Sequence, residues 1–273
     1  MANSSSGDSV LGRALRVFDA FELDKPALTA SEIARRACLP VATAYRLTCE
    51  LAELGLLERA VDGRFRVGVR LWEIAARAQV ARGLREAAMP VLEDLHAAVK
   101  EHVQLGVLEG REVLFIERLS ARNAVINVTQ IGGRLPVHAS SAGLVLLAHA
   151  SAELQTEVLA GPLRRYTPDT PVQPRNVRRI IAGIKQQGYV VCPGYIHADA
   201  MGIAVPVRDA CGEVVAAIGA VVPVRGTQPM NVVPALLTAS RGISRALGAT
   251  ADPQPRGAVD PQPRGRREPT AAV

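Results

Sequence analysis

TASEIARRACLPVATAYRLTCELAEL, residues 29–54, decides how the N-terminal part of this chain folds. Thr29 followed three positions later by Glu32 is a capping box, the threonine bonding an N3 amide and the glutamate reaching back. It opens a short helix that buries Ile33, Ala34 and Ala37 and exposes Arg35 and Arg36. Cys38-Leu39-Pro40 reads as a tight turn, with the proline placed to open the next helix. In that helix, about Val41 to Leu54, the residues Ala44, Leu47, Leu51 and Leu54 recur at helical spacing and predict one buried stripe. Left facing outward are Ala42, Thr43, Tyr45 and Arg46, small or hydrogen-bonding, with one arginine suited to a guanine edge or a phosphate.

The flanking segments complete the pattern. Leu11, Leu15, Phe18 and Phe21 predict a preceding helix with one apolar face. Gly55 stops the candidate recognition helix, and residues 56–67 read as a hairpin around Asp62-Gly63. That wing carries Arg59, Arg64 and Arg66 for phosphates, as do Arg35 and Arg36 before it. Helix, helix, turn, recognition helix, two-stranded wing is a winged helix-turn-helix, expected over residues 10–68. Glu50, Glu53, Glu58 and Asp62 offset many of the arginines, so each copy should bind DNA modestly and rely on an oligomer.

Composition agrees without deciding. The 273 residues carry a formal net charge of +6 and are 48% hydrophobic but 3% aromatic, so Ala, Val, Leu and Ile must build the core. A basic chain suits a polyanionic partner, though basic proteins of other kinds are common. The four cysteines show no C-x-x-C pair and no histidine at zinc-ligand spacing, which predicts reduced, mostly buried thiols, no metal and no cofactor. The start has no signal-peptide pattern and the longest apolar run, residues 214–222, is too short to span a bilayer, so a cytoplasmic protein with no membrane partner is expected.

Residues 1–9 are Ser-rich and residues 249–273 repeat Asp-Pro-Gln-Pro-Arg-Gly, so both ends read as disordered, with Arg256, Arg264, Arg266 and Arg267 in the tail. A linker helix is expected over residues 69–83, running to about Ala81, and an amphipathic helix from Leu84 to Glu101. Residues 84–248 then mix helices with Val-rich strands, at about Val103–Leu108, Glu112–Arg118 and Ala124–Thr129, an α/β (α+β) pattern. After the turn-forming Gly132-Gly133, either Ser140 or Ser141 can cap a helix through Leu147. A helix N-terminus offers free amides that suit a carboxylate, although most such serines only cap.

Ser31-Glu-Ile-Ala-Arg35, Leu39 through Leu47, and Glu53-Leu-Gly-Leu-Leu-Glu58 resemble the DNA-binding domain of the IclR family of bacterial transcriptional regulators. Residues 130–143, 188–191 and 202–217 are similar to its effector domain, so the resemblance spans about Leu11 to Leu247. It adds Ser31 to the DNA-facing set and implies a GAF-like C-terminal domain holding a small organic acid. Carried over by position, the pocket involves Ala124, Asn127 and Leu135, the cap Ser140, the amides at Ser141 and Ala142, and Cys192, His197, Asp199, Gly202 and Ala204. It further implies a homodimer through the N-terminal and connecting helices, a dimer of dimers, an operator duplex as partner, and control of a catabolic operon. Val41 departs from the family, where a polar residue is frequent, as do Cys192-Pro-Gly-Tyr-Ile-His197 and the pair Gly219 and Val221, where hydroxyls are frequent. Fewer hydroxyls imply a roomier, less polar pocket and an aromatic or larger acid.

Two other readings stand beside the regulator. Ser140 and Ser141 near His138, or His197 near Asp199, suggest a hydrolase, but there is no Gly-x-Ser-x-Gly elbow and no phosphate loop. His96 and His102, on or just after the long helix, read as packing or solvent-facing residues. A DNA-binding protein without an effector predicts an operator affinity that no metabolite changes.

Overall fold

The computed structural model describes residues 9–22, 25–75, 77, 79–121 and 124–249. Of the ends expected to be disordered, residues 1–9 and 249–273, all but Ser9 and Ala249 lie outside the described residues; Ser9 caps the first helix and the Ala249 amide bonds the Ser244 carbonyl. The chain divides between Arg82 and Gly83 into two compact units.

The first unit begins with α1 (Val10–Asp19), capped by Ser9, whose hydroxyl accepts from the Gly12 amide. Its expected apolar face is only half buried. Val17 and Ala20 are buried and Phe18 and Phe21 pack beside them, whereas Leu11 and Leu15 stay exposed. The chain continues through β1 (Ala27–Leu28), α2 (Ala30–Arg36), α3 (Val41–Glu53), β2 (Leu57–Arg59) and β3 (Phe65–Val67). The capping box of α2 forms as read: the Thr29 hydroxyl accepts from the Glu32 amide and the Glu32 carboxylate accepts from the Thr29 amide. α2 ends in a Schellman turn with Cys38 at φ 51° and the Leu39 amide bonded to the Ala34 carbonyl at 2.9 Å.

Ile33, Leu47, Leu51, Leu57 and Phe65 close a small core with Val17 and Leu28. Leu54, expected in the stripe, is exposed and Thr48 is buried instead. α3 stops at Glu53 and turns at Gly55 (φ 72°), so Leu56 and Leu57 enter the core in its place. Thr48 tolerates burial because its hydroxyl donates to the Tyr45 carbonyl within the helix. The wing has a third strand, in the order β1-β3-β2. Two residues are too few to show as an alternating pattern, so β1 left no mark in the sequence reading. α4 (Val69–Ala75) ends earlier than expected, and α5 (Gln79–Val99) starts earlier and takes in Gly83, which nothing crowds.

The second unit adds β4 (His102–Glu109), β5 (Glu112–Leu119), β6 (Arg134–Pro136), α6 (Ser141–His149), α7 (Ala152–Ala160) and α8 (Pro174–Gln187). It ends with β7 (Val190–Pro193), β8 (Ala200–Arg208), β9 (Val214–Pro223) and α9 (Val233–Ala246). The strands form one antiparallel sheet, β6-β5-β4-β9-β8-β7. One face packs Leu105, Ile203 and Ile218 against Leu92 of α5 and Leu236 and Ile243 of α9. The other packs Phe115, Ala204 and Ala217 against Leu144 and Leu147 of α6 and Ile181 and Ile184 of α8. With both faces covered, the strands read as nearly unbroken apolar runs.

Residues 124–130 form no strand, contrary to expectation; β6 takes the place beside β5. Side chains satisfy that loop's backbone in place of a ladder. The Thr129 amide donates to Asn127 Oδ1 (3.0 Å), the Val125 carbonyl bonds His102 Nε2 (2.6 Å), and Arg118 donates to the Thr129 carbonyl. Among the described residues no helix is long and apolar enough to cross a membrane.

Candidate functional site

α3 presents Ala42, Tyr45 and Arg46 to solvent and Thr43 half-buried, with Ser31 and Arg35 exposed on α2. Arg46 and Arg35 have guanidinium groups that meet no acid among the described residues. Arg36 is different, and its expected exposure is corrected. It is half-buried, donates to the Ala20 carbonyl at 2.8 Å and pairs with Glu22 at 3.4 Å, tying α2 to the end of α1. The wing arginines are also engaged. Arg66 pairs with the cross-strand Glu58 at 2.6 Å, Arg64 reaches Asp62 and Glu32, and the Arg59 guanidinium lies 5.7 Å from the Phe65 ring centre. Glu32 is therefore a hub: its hydrogen bonds to Lys25 and then to the Thr29 amide hold its carboxyl down at about 2. The basic face is smaller than the arginine count implied.

A narrow cleft lies in the second unit between the α6 face of the sheet, residues 126–129 and the loop 195–197. Of the residues expected there, Asn127, Leu135, Ser140, Ser141, Cys192, His197 and Gly202 line it. Ala124, Ala142, Asp199 and Ala204 do not: the Ala142 and Ala204 side chains sit in the core beneath, and Asp199 is exposed.

Gly202 brings β8 and α6 together. A Cβ there would stand 2.7 Å from Ser141 Oγ and 3.2 Å from its Cβ, so glycine lets the first helical turn approach this close without displacing the serine. Of the two serines, Ser140 is the cap and accepts from the Gly143 amide at 3.1 Å. That leaves the Ser141 hydroxyl and the amides of Ser141 and Ala142 without partners among the described residues, at the positive end of a helix dipole. Ile126, Val128, Leu135 and Val221 give the cleft apolar walls. Burial pushes the Cys192 thiol far above the usual range, so it acts as a neutral wall. Cys192 is the one buried cysteine; Cys38 and Cys211 stand in exposed turns and Cys49 is half-buried, unlike the mostly buried thiols expected. Burial, followed by Cys192 and Asp169, raises the Tyr195 hydroxyl to about 12.

Three polar side chains of the cleft belong together. The Thr129 hydroxyl is 2.7 Å from both Gln104 Oε1 and Asn127 Oδ1, and Asn127 Nδ2 lies 3.5 Å from Gln104 Oε1. Sequence reading named Asn127 alone. The available signal was a glutamine standing between Val103 and Leu105 in an apolar strand. No serine–histidine pair forms: His138 bonds the Arg164 carbonyl, and His197 Nδ1 accepts from the Asp199 amide.

Known proteins share both halves. Residues 10–60 match the IclR helix-turn-helix domain, and residues 77–245 match the bacterial transcriptional regulator IclR C-terminal domain. The crystal structure of an IclR homolog from Microbacterium hydrocarbonoxydans complexed with 4-hydroxybenzoate is 49% identical, covers 88% of this chain and 99% of its own, and superposes with a TM-score of 0.83. The Pca regulon regulatory protein of Pseudomonas putida is 30% identical over 244 residues, 87% of this chain and 83% of its own. The transcriptional repressor IclR of Escherichia coli is 27% identical over 183 residues, 66% of this chain and 67% of its own. Helix-turn-helix and sheet domain are thus matched in one order along one chain, which belongs to the IclR family of bacterial transcriptional regulators.

Proposed function

We propose that this protein binds an operator duplex through α3 and the wing, and that an aromatic carboxylic acid entering the cleft changes that binding to control a catabolic operon. Thr43, Tyr45 and Arg46 read bases; Ser31, Arg35 and the wing arginines hold phosphates once the acids that pair with them give way. The observation that carries the effector reading is the start of α6. The unpartnered Ser141 amide and hydroxyl, at the start of a helix, border an apolar-walled cleft, an arrangement suited to a carboxylate on a flat apolar body. The 4-hydroxybenzoate in the Microbacterium homolog supports the same class.

Exposed apolar side chains support assembly as at least a dimer. Leu11 and Leu15 of α1 and Val69, Trp72 and Ile74 of α4 all face solvent within the first unit. An acid couples to DNA only through different affinities for two arrangements of the paired domains.

The test is fluorescence anisotropy of the protein on DNA from its own promoter, titrated with benzoate, 4-hydroxybenzoate and two- or three-carbon acids. An affinity change of fivefold or more with the aromatic acids alone is expected. A response to short acids only overturns the aromatic assignment. No response to any acid leaves a DNA-binding protein without an effector.

A further inference from the structure

The far side of the cleft holds hydrogen-bonding capacity that the protein does not use. Gln104 is only 3% exposed, yet just one end of its amide is engaged, with Thr129 at 2.7 Å and Asn127 at 3.5 Å. Its other end, Nε2, has no partner among the described residues, and the side chain lines the cleft. The two ends of an amide look alike to X-rays and to geometry, and turning it over leaves the oxygen facing the cleft instead. Either way one end of the amide borders the ligand space with hydrogen-bonding capacity unused by the protein.

Thr129 repeats the point. Its single hydroxyl proton faces two acceptors, Gln104 Oε1 and Asn127 Oδ1, both at 2.7 Å. It can serve only one at a time, so the cluster can shift toward a ligand donor without moving the backbone. None of the three side chains carries a charge, so they match a hydroxyl or oxo group better than a second carboxylate.

The sheet separates this cluster from the carboxylate end. Gln104 on β4 faces Gly219 on β9, which faces Ala204 on β8, while Gly202 under Ser141 lies two residues back along β8. Two strand spacings of roughly 4.8 Å across the sheet and two residues of about 3.4 Å along it separate the two ends, roughly 12 Å in all, about the reach of a hydroxybenzoate with a hydrogen bond at each end. On β9, between β4 and β8, the cleft is lined by Val221, which pairs with Gly202.

We infer that Gln104, supported by Thr129, is the specificity-determining residue that recognises a hydroxyl substituent on the effector, across the ring from its carboxylate. This rests on the aromatic-acid reading above and goes beyond it by naming the second polar end of the ligand and the residues that select it.

Calorimetric titration of the full-length protein with benzoate, 3-hydroxybenzoate and 4-hydroxybenzoate tests it, repeated on Gln104→Leu and Thr129→Val. The unmodified protein should prefer at least one hydroxylated acid over benzoate by about tenfold, the value of one buried neutral hydrogen bond. Gln104→Leu should erase that preference, bringing the hydroxylated acids to the affinity the same variant has for benzoate, with circular dichroism and thermal melting showing that it has folded. Thr129→Val should weaken the preference, and carries the same comparison should the leucine variant fail to fold. A hydroxyl preference that survives both substitutions, or no preference in the unmodified protein, overturns the assignment to Gln104 alone. If none of the three acids binds, the aromatic-acid reading falls and the inference falls with it.

Discussion

The position of a Cβ on Gly202 is 2.7 Å from Oγ of Ser141, so the strand and the first turn of α6 are fitted to each other at the cleft itself. Gly202→Ala should destabilise the protein by about 1–3 kcal/mol through overpacking. Removing the opposing atoms in Gly202→Ala/Ser141→Gly should recover most of the loss. Urea unfolding of the two single variants and the double variant measures the coupling, and strict additivity would show that the two residues do not press on each other.

Two arginines close in sequence should behave oppositely. Arg46→Ala should leave the melting temperature unchanged, weaken operator binding by about 1–3 kcal/mol and relax sequence preference at one position. Arg36→Ala removes the bond to the Ala20 carbonyl and the pair with Glu22, so it should lower thermal stability first. Thermal melts beside binding to operator and scrambled duplexes distinguish them; equal stability losses would contradict the separation.

Glu32 gives the first unit an acid limit. Its carboxyl sits at about 2 against an ordinary 4.5, so the unfolded chain binds a proton that the native one refuses. The stability it contributes is complete above about pH 4.5 and is lost as pH falls toward 2. Glu32→Gln keeps a capping residue but not the charge, and should shrink the difference between circular-dichroism melts at pH 5 and pH 3. An unchanged difference would remove Glu32 from this role.

The second unit has a limit nearer neutrality. Burial holds His102, His138 and His149 below the ordinary histidine value of 6.5. In the unfolded chain they protonate near 6.5, so native stability is full above that pH and declines below it. The urea midpoint should be lower at pH 5.5 than at pH 7.5; equal midpoints would refute the prediction.

Oligomeric state is the fifth check. Leu15 is 63% and Trp72 70% exposed, and the proposed dimer rests on this apolar surface. Leu15→Glu and Trp72→Asp should shift the protein toward monomer in sedimentation velocity and weaken operator binding without lowering the melting temperature. A wild-type protein that sediments as a monomer at micromolar concentration would exclude this surface as an interface.

Sequence reading succeeded where short-range chemistry decides. The capping box at Thr29, the turn before Pro40, the Asp62-Gly63 hairpin and the serine cap of α6 all depend on residues within four positions of one another. It failed where distant segments meet. Arg36 looked exposed because its partner, Ala20, lies on another helix. Helical spacing groups Leu11 and Leu15 with Phe18 and Phe21 on one face of α1, yet only the two phenylalanines pack on the core, because spacing does not say how far along its length a helix is covered. Gln104 and Thr129 are 25 residues apart and meet only because residues 124–130 leave the sheet and fold over it. No local pattern in the chain records that juxtaposition.

The layer that α5 and α9 form against the sheet shares no residue with the cleft on the opposite side. Mutational drift can thus reach Gln104, Cys192, Gly219 or Val221 while that layer keeps the domain folded. Descendants of one ancestor can come to answer different metabolites on an inherited scaffold, and departures at those positions are where such divergence should first be written.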